Sequence, residues 1–266
     1  KKLGSYWLIM TIRIENRLED QLVKLKEEFG VVGIKAEFEA EGSSYDDILR
    51  LRNLTNRNNL SLHVKIGGVE AIRDIIDCLE IGVDGIIGPM VESSFGAKKF
   101  VNSLEKLEVK DIFHSSINIE TKNGLLELDD ILNISIGNIS NITIGRSDLS
   151  GCYMDKSITP NSSFIAEKVI FIANAAKKFG YSVTMGGSVN IKTLELFEKH
   201  QDLKRLLDKV ETRKVIIPVK KFIDTPSVLE EAIKFEELYV MTKKAYLDRR
   251  IKSELDRLTS LKTRLI

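Results

Sequence analysis

Two periods alternate along the chain. Short apolar, β-rich runs read VVGIKAEF (31–38), LSLHVKI (60–66), GVDGIIGPM (82–90), a run ending at Glu120, a run ending before Asp148, YSVTMGGS (181–188) and KVIIPV (214–219). Between them lie stretches with helical spacing. DDILRLRNLTNRNN keeps Ile48, Leu49, Leu51 and Leu54 on one face, and VEAIRDIIDCLEIG and SSFGAKKFVNSLEKL follow the same period. Leu125, Leu126, Leu128, Ile131 and Leu132 recur at that spacing while Asp129 and Asp130 face water. SSFIAEKVIFIANAAKKFG is a helix stopped by Gly180, and NIKTLELFEKHQDLKRLLDK reads as helical to its end at 209. Residues 11–29 form a charged helix with Leu18, Leu22, Val23 and Leu25 as its apolar positions and Gly30 as its stop.

Seven strands alternating with helices predict a parallel sheet, and the period fits a (β/α)8 TIM barrel over residues 11–224. The eighth strand is expected from the N-terminal YWLIMTI. An open doubly wound sheet is the alternative, but no Gly-rich dinucleotide fingerprint follows the first strand. The tail differs. Thr225-Pro226 and a capping pattern from Ser227 to Glu230 start a helix that meets no Gly or Pro before Ile266. Ile251, Leu255, Leu258 and Leu265 keep roughly helical spacing there. The tail (225–266) lies on its own barrel or, the preferred expectation, packs as an arm on a neighbouring subunit of a homo-oligomer.

Composition narrows the partners. Of 266 residues, 40 are basic and 39 acidic, so a net charge of +1 offers no field for nucleic acid or an anionic membrane. No apolar run approaches a membrane span or a secretion signal. Cys78 and Cys152 alone make neither a disulfide framework nor a thiolate metal site, and suit a reducing, cytoplasmic setting. Met10 is a candidate start, with the residues before it an added leader.

The chemistry centres on Glu120 and Asp148. In a βαβ unit both carboxylates emerge at the C-terminal edge of the sheet, where such folds keep their sites. Two carboxylates on one rim suit a hard divalent cation that keeps open positions for substrate; the alternative is two solvated loop acids. Lys35 and Lys65 lie in strands facing the same rim. Each is a Schiff-base candidate for a metal-free aldolase, or an ion pair with Glu37 or Glu39. Met185-Gly186-Gly187-Ser188 suits a phosphate loop or a tight turn. Arg213 and Lys214 point into the barrel mouth or are solvated at the strand edge. His114 is expected to be structural, and Cys152 has no partner base.

The segments GVVGIKAEFEAEG, GVDGIIGPMVESSFGAKKFV, INIETKNGLLELDDI and ITIGRSDLS, in this order over residues 30–150, resemble the HpcH/HpaI aldolase and citrate lyase β-subunit family. The resemblance implies a phosphoenolpyruvate/pyruvate-type TIM barrel with Mg²⁺ or Mn²⁺ held by Glu120 and Asp148. It implies that pyruvate or another 2-oxo acid reacts through a metal-stabilised enolate with an aldehyde or acyl co-substrate. Backbone N–H groups around Gly145, Arg146 and Ser147 would receive the substrate carboxylate. Asn118 stands where many members carry Gln and would orient a metal-bound water. Arg146 either reaches substrate or forms a salt bridge at the rim. Two departures stand out. Lys65 replaces an Arg that contacts the enolate oxygen, keeping the charge but losing the planar fork. FEAEG lacks the family's proton-transferring His, leaving Glu41 as the candidate base. The reading is therefore a metal-dependent carbon–carbon lyase or synthase. Its rivals are the Schiff-base aldolase and a catalytically inactive barrel that serves binding or assembly. The inactive barrel would survive Glu120→Ala and fail on deletion of residues 227–266.

Overall fold

A computed structural model describes residues 2–264, with side chains from Ile12 onward. Helix α1 (Lys2–Glu27) leads to β1 (Gly33–Glu37), followed by α2 (Tyr45–Arg57), β2 (Ser61–Lys65) and α3 (Ile72–Ile81). Next come β3 (Gly85–Gly88), α4 (Ser94–Lys106) and β4 (His114–Ile119). Two short helices, α5 (Lys122–Leu126) and α6 (Leu128–Ile134), connect to β5 (Asn141–Gly145). The chain continues through α7 (Arg146–Gly151), α8 (Ser163–Lys178) and β6 (Ser182–Gly186), then α9 (Ile191–Lys199), α10 (Asp202–Leu206) and β7 (Lys209–Glu211). It finishes with β8 (Val215–Pro218), α11 (Val219–Asp224) and the long α12 (Val228–Thr263).

The eight strands close a barrel in chain order. Strands β1 to β7 pair in parallel, as a βαβ repeat requires. The last strand differs: β8 runs antiparallel to both β7 and β1. No crossover helix separates β7 from β8. A tight turn does so, with the Thr212 N–H donating to Val215 O at 3.0 Å and Thr212 Oγ1 accepting from the Val215 N–H at 3.0 Å. The turn tip thereby lands on the rim where the parallel strands end.

Two elements depart from the sequence expectation. The segment YWLIMTI is part of α1, because no Gly or Pro separates it from the helical period that follows. The strand that the sequence pattern lacks is β7 (Lys209–Glu211), too short to show a period and preceded by the buried Leu203, Leu206 and Leu207, which extend a helical pattern up to it.

The barrel is apolar outside and polar inside. Outward-facing Ile34, Leu62, Val64, Ile86, Ile117, Ile119, Ile142, Ile144, Val183, Met185 and Val210 are all fully buried beneath the helices. Each removes apolar surface worth about 1.5–3 kcal/mol. Inward positions carry Lys35, Glu37, Ser116, Asn118, Thr143, Thr184 and Glu211, also buried. Barrels of this class normally fill the interior with layers of branched apolar side chains. Here most inward positions carry hydrogen-bonding groups, with Ile87 and Ile216 among them at the lower end.

Local signals fix the helix ends that matter for the rim. Ser44 and Asp47 form a capping box on α2, and the Ser93 side chain caps α4 by accepting from the Gly96 N–H at 3.1 Å. Gly82 ends α3 at φ 74°, a left-handed conformation that suits glycine. The first half of α12 is core: Val228 and Phe235 are fully buried, and Gln21 on α1 donates to Glu231 at 2.7 Å. Beyond Ala245 it is not. Leu247, Ile251, Leu255 and Leu258 are each more than half exposed along one side of a solvated helix.

Candidate active site

A cleft of about 500 Å³ opens at the C-terminal rim. Its floor and walls include Lys35, Glu37, Lys65, Asn118, Glu120, Thr143, Gly145, Ser147 and Asp148. The two expected carboxylates are thus brought to one site. Glu120 follows β4 and is buried; Asp148, in the first turn of α7, is exposed.

The Glu120 carboxylate is held from both sides. Oε1 accepts the Met90 N–H at 2.9 Å and Oε2 accepts Asn118 Nδ2 at 3.2 Å. Met90 adopts φ 51°, a strained value for a side chain of its size, and in that conformation it aims its amide at Glu120. Gly145 makes room on the third side, since a Cβ there would lie 2.2 Å from Oε2. Burial pushes the Glu120 pKa up; the Met90 N–H opposes this and repulsion from Asp148 adds to it. Beside it, Asn118 Oδ1 is buried with no hydrogen-bond partner among the described residues. A like-charged pair with an unfilled acceptor alongside is the environment a hydrated divalent cation relieves. Among the described residues no group of three or more His, Cys, Asp or Glu side chains forms a metal cage, so water and substrate oxygens would fill the remaining positions.

An interior ion chain supports the floor. Lys35 Nζ lies 2.8 Å from Glu211 Oε1 and 3.2 Å from Glu37 Oε1, and Lys65 Nζ lies 3.0 Å from Glu37 Oε2. Burial alone would lower the Lys35 pKa, but Glu211 and Glu37 outweigh it and raise it above the usual lysine range. With two carboxylates holding its ammonium, Lys35 is poorly suited to act as a Schiff-base amine. Glu37 is likewise pulled below the usual carboxylate range, Lys35 and Lys65 overcoming the opposing effect of burial. Lys65 remains half-exposed to the cleft as a cation facing Glu120's side of the site.

Two of the sequence-derived site residues lie elsewhere. Arg146 is fully buried and turned away from the cleft. Its guanidinium donates to Gly186 O at 3.1 Å, Gly187 O at 2.8 Å, Pro160 O at 3.2 Å, Asn161 Oδ1 at 2.8 Å and Thr193 Oγ1 at 3.4 Å. With every donor direction used on the β6–α9 loop and its neighbours, it anchors α7 rather than touching substrate. Glu41 also misses the cleft. Its carboxylate pairs with Lys214, whose ammonium sits 4.4 Å from the Tyr239 ring, in a buried cluster between the first βα loop and α12. Ala40 takes the cleft-facing position instead.

Sequence reasoning missed other wall residues. The β7–β8 turn contributes Thr212, and α12 contributes Leu229, Ile233 and Glu236; Arg213, one of the two basic residues weighed for the barrel mouth, does line it, whereas Lys214 does not. The start of the tail is therefore part of the site. The loop MGGS supplies Gly187, Ser188 and Val189, with Ser188 at φ 52° and its Oγ 2.9 Å from Ser147 Oγ. A Cβ on Gly187 would sit 2.5 Å from Ser147 N and 2.7 Å from Arg146 N, so only glycine leaves those two amides uncovered.

No protein-family model matches the chain, and no curated protein matches it in sequence. Solved structures match in fold. An HpcH/HpaI aldolase from Desulfitobacterium hafniense superposes with a TM-score of 0.58 at 16% identity, covering 80% of this chain and 87% of that one. A citrate lyase from Burkholderia xenovorans gives 0.53 at 10% identity over 85% and 87% of the two chains. A malate synthase from Haloferax volcanii, solved as a pyruvate/acetyl-CoA ternary complex, gives 0.54 at 13% identity over 73% of this chain and 60% of that one. The chain thus has the TIM-barrel fold of the HpcH/HpaI aldolase and citrate lyase structures. Among the described residues no helix is long and apolar enough to cross a membrane.

Proposed function

We propose that the protein is a divalent-metal-dependent carbon–carbon lyase or synthase that acts on a 2-oxo acid such as pyruvate, with an aldehyde or acyl co-substrate. The observation that carries this reading is the Glu120–Asp148 pair, converging in one cleft with Gly145 clearing space and Asn118 Oδ1 left unfilled beside it. Glu120 and Asp148 would hold Mg²⁺ or Mn²⁺, which when bound supplies a Lewis acid for the keto oxygen.

The chain's own groups do the rest. The Arg146 and Ser147 amides, kept open by Gly187, receive the substrate carboxylate. Lys65 places a positive charge where negative charge develops on the keto oxygen, and Glu37 fixes its ammonium. Asn118 orients Glu120 through Nδ2 and keeps its Oδ1 to accept a hydrogen bond from water. Arg213, held only loosely 4.0 Å from Glu236, and the exposed Ile233 line the outer cleft, where the co-substrate enters. Glu41, tied to Lys214, is given no part in proton transfer. The neighbours' chemistry agrees: one is described as an aldolase, one as a citrate lyase, and one holds pyruvate with acetyl-CoA. The exposed apolar side of α12 supports a homo-oligomer.

The test is exchange of the pyruvate methyl protons in D₂O with Mn²⁺ or Mg²⁺, followed by proton NMR. This reports abstraction at C3 without knowledge of the co-substrate. Catalysed exchange lost in Glu120→Gln supports the reading. Exchange at the uncatalysed rate, with metal bound, would favour the non-catalytic barrel, for which the withdrawal of Glu41 into an ion pair is the motivating observation.

A further inference from the structure

The barrel interior holds a second cavity, of about 380 Å³, at the opposite, N-terminal end. It is lined by His63, His114, Lys209 and the hydroxyls of Ser61, Ser182 and Thr184, with Glu211 and Thr143 at its inner end. Thr143 and Glu211 also line the upper cleft, so these two side chains are the partition between the two spaces.

The balance of charge in the lower cavity is uneven. Glu211 is its one acid, and that carboxylate is already bound by Lys35 on the other side of the partition. Lys209 is half-buried, and among the described residues no carboxylate oxygen lies within 4 Å of its ammonium. Burial lowers its pKa, and the attraction of the more distant Asp208 and Glu211 does not offset it. The inner hydrogen-bonding groups are mutually satisfied: Asn141 Nδ2 donates to Ser116 Oγ at 2.9 Å, and Thr184 Oγ1 donates to Asn141 Oδ1 at 2.9 Å. This network forms a fixed polar wall. Gly85 completes the space, since a Cβ there would collide with the His63 ring, 2.3 Å from Nδ1. Val32, Ile87 and Ile216 supply apolar wall between these groups. A lysine without a contact carboxylate, two imidazoles and several hydroxyls converging on one small chamber match one ligand class.

We infer that the lower cavity is a binding site for a small oxyanion, with Lys209 as its charge partner and His63, His114, Ser61 and Ser182 as its wall. The site is separate from the carboxylate pair and stands whether or not the proposed lyase activity does. Its occupancy reaches the upper site through Glu211, which shares Lys35 with Glu37, which in turn holds Lys65.

The chain's three histidines make a direct test. Two line this cavity, and His200 lies outside it, beside Ser163. Imidazole resonances of histidine-labelled protein are followed while inorganic phosphate, and separately malonate, is added at constant ionic strength. The expected result is saturable movement of the His63 and His114 signals with His200 unmoved, and loss of that saturation in Lys209→Met. Lys98→Met, on the exposed face of α4 and outside this chain of ion pairs, leaves the titration intact. Equal, non-saturating movement of all three signals, movement that survives in Lys209→Met, or no movement with either anion would overturn the inference.

Discussion

Gly145→Ala is the smallest change that addresses the carboxylate site. The glycine has φ −87° and ψ 88°, which alanine also adopts, so the effect is one of space and not of backbone strain. The new Cβ would lie 2.2 Å from Glu120 Oε2 and 2.9 Å from Glu120 Cβ, against 3.4 Å or more for ordinary contact. If the carboxylate yields, it gives up the Met90 N–H and Asn118 Nδ2, each worth about 1.5–3 kcal/mol to a buried charge, though water entering the cleft recovers part. If the backbone yields instead, overpacking costs about 1–3 kcal/mol. Either route predicts a loss of about 2–3 kcal/mol, read from the urea midpoint at constant slope. The same substitution made in Glu120→Gly, which removes the Cβ as well as the carboxylate, meets none of these atoms. It should then be neutral or stabilising by about 0.4–1 kcal/mol, through reduced freedom of the unfolded chain. The coupling between the two positions is the quantity of interest. An equal cost in both backgrounds, or none in the wild type, would refute the claim that Gly145 exists to seat Glu120.

Other consequences follow from the same packing. Arg146→Lys should lower stability by about 3 kcal/mol in thermal or urea unfolding, because an ammonium cannot replace the fork of donors that ties α7 to the β6–α9 loop. His63 is pushed down to about 4 by burial, with Lys209 and His114 adding and Asp84 opposing. The unfolded chain, with a histidine near 6.5, therefore takes up the proton first as pH falls. Stability should be full above about pH 6.5 and decline by up to about 3 kcal/mol towards pH 4. His63→Gln should remove that slope from pH-dependent unfolding. Deleting residues 247–266 should leave a folded barrel, because Leu247, Ile251, Leu255 and Leu258 are outside the core, and should lower the mass of the proposed homo-oligomer by light scattering. Deleting from Val228 should unfold the protein, because Val228 and Phe235 are core.

The outer core and the rim carboxylates were legible in the sequence because both depend on local order. Strand–helix alternation gave the barrel, and a carboxylate just past each of two strands gave Glu120 and Asp148. What escaped depends on distant partners. Lys209–Glu211 is three residues long and carries no period, and the reversal of β8 is decided by the Thr212–Val215 turn. Glu41 looked available from its place before Gly42. Only the fold brings Lys214, 173 positions away, to pair with it. Arg146 stands between two site residues in sequence, yet the first turn of α7 points it into the protein. One signal was present and unread. GIKAE, SLHVK, NITIG and SVTMG alternate strictly, whereas parallel strands with apolar surroundings on both faces read as continuous apolar runs. That alternation already encoded a polar barrel interior. The wall residues from α12 had no sequence signal, because its apolar positions are shared between core, cleft and solvent.

The central claim is that Glu120 and Asp148 together hold a divalent cation that recruits a 2-oxo acid. Calorimetric titration of Mg²⁺ and Mn²⁺, with and without oxalate as a mimic of the reacting acid, tests it most directly on wild type and Asp148→Ala. The account predicts oxalate binding that requires the metal and disappears in the variant. Absence of metal binding by the wild type, with a borohydride-trapped pyruvate adduct on a lysine, would contradict it.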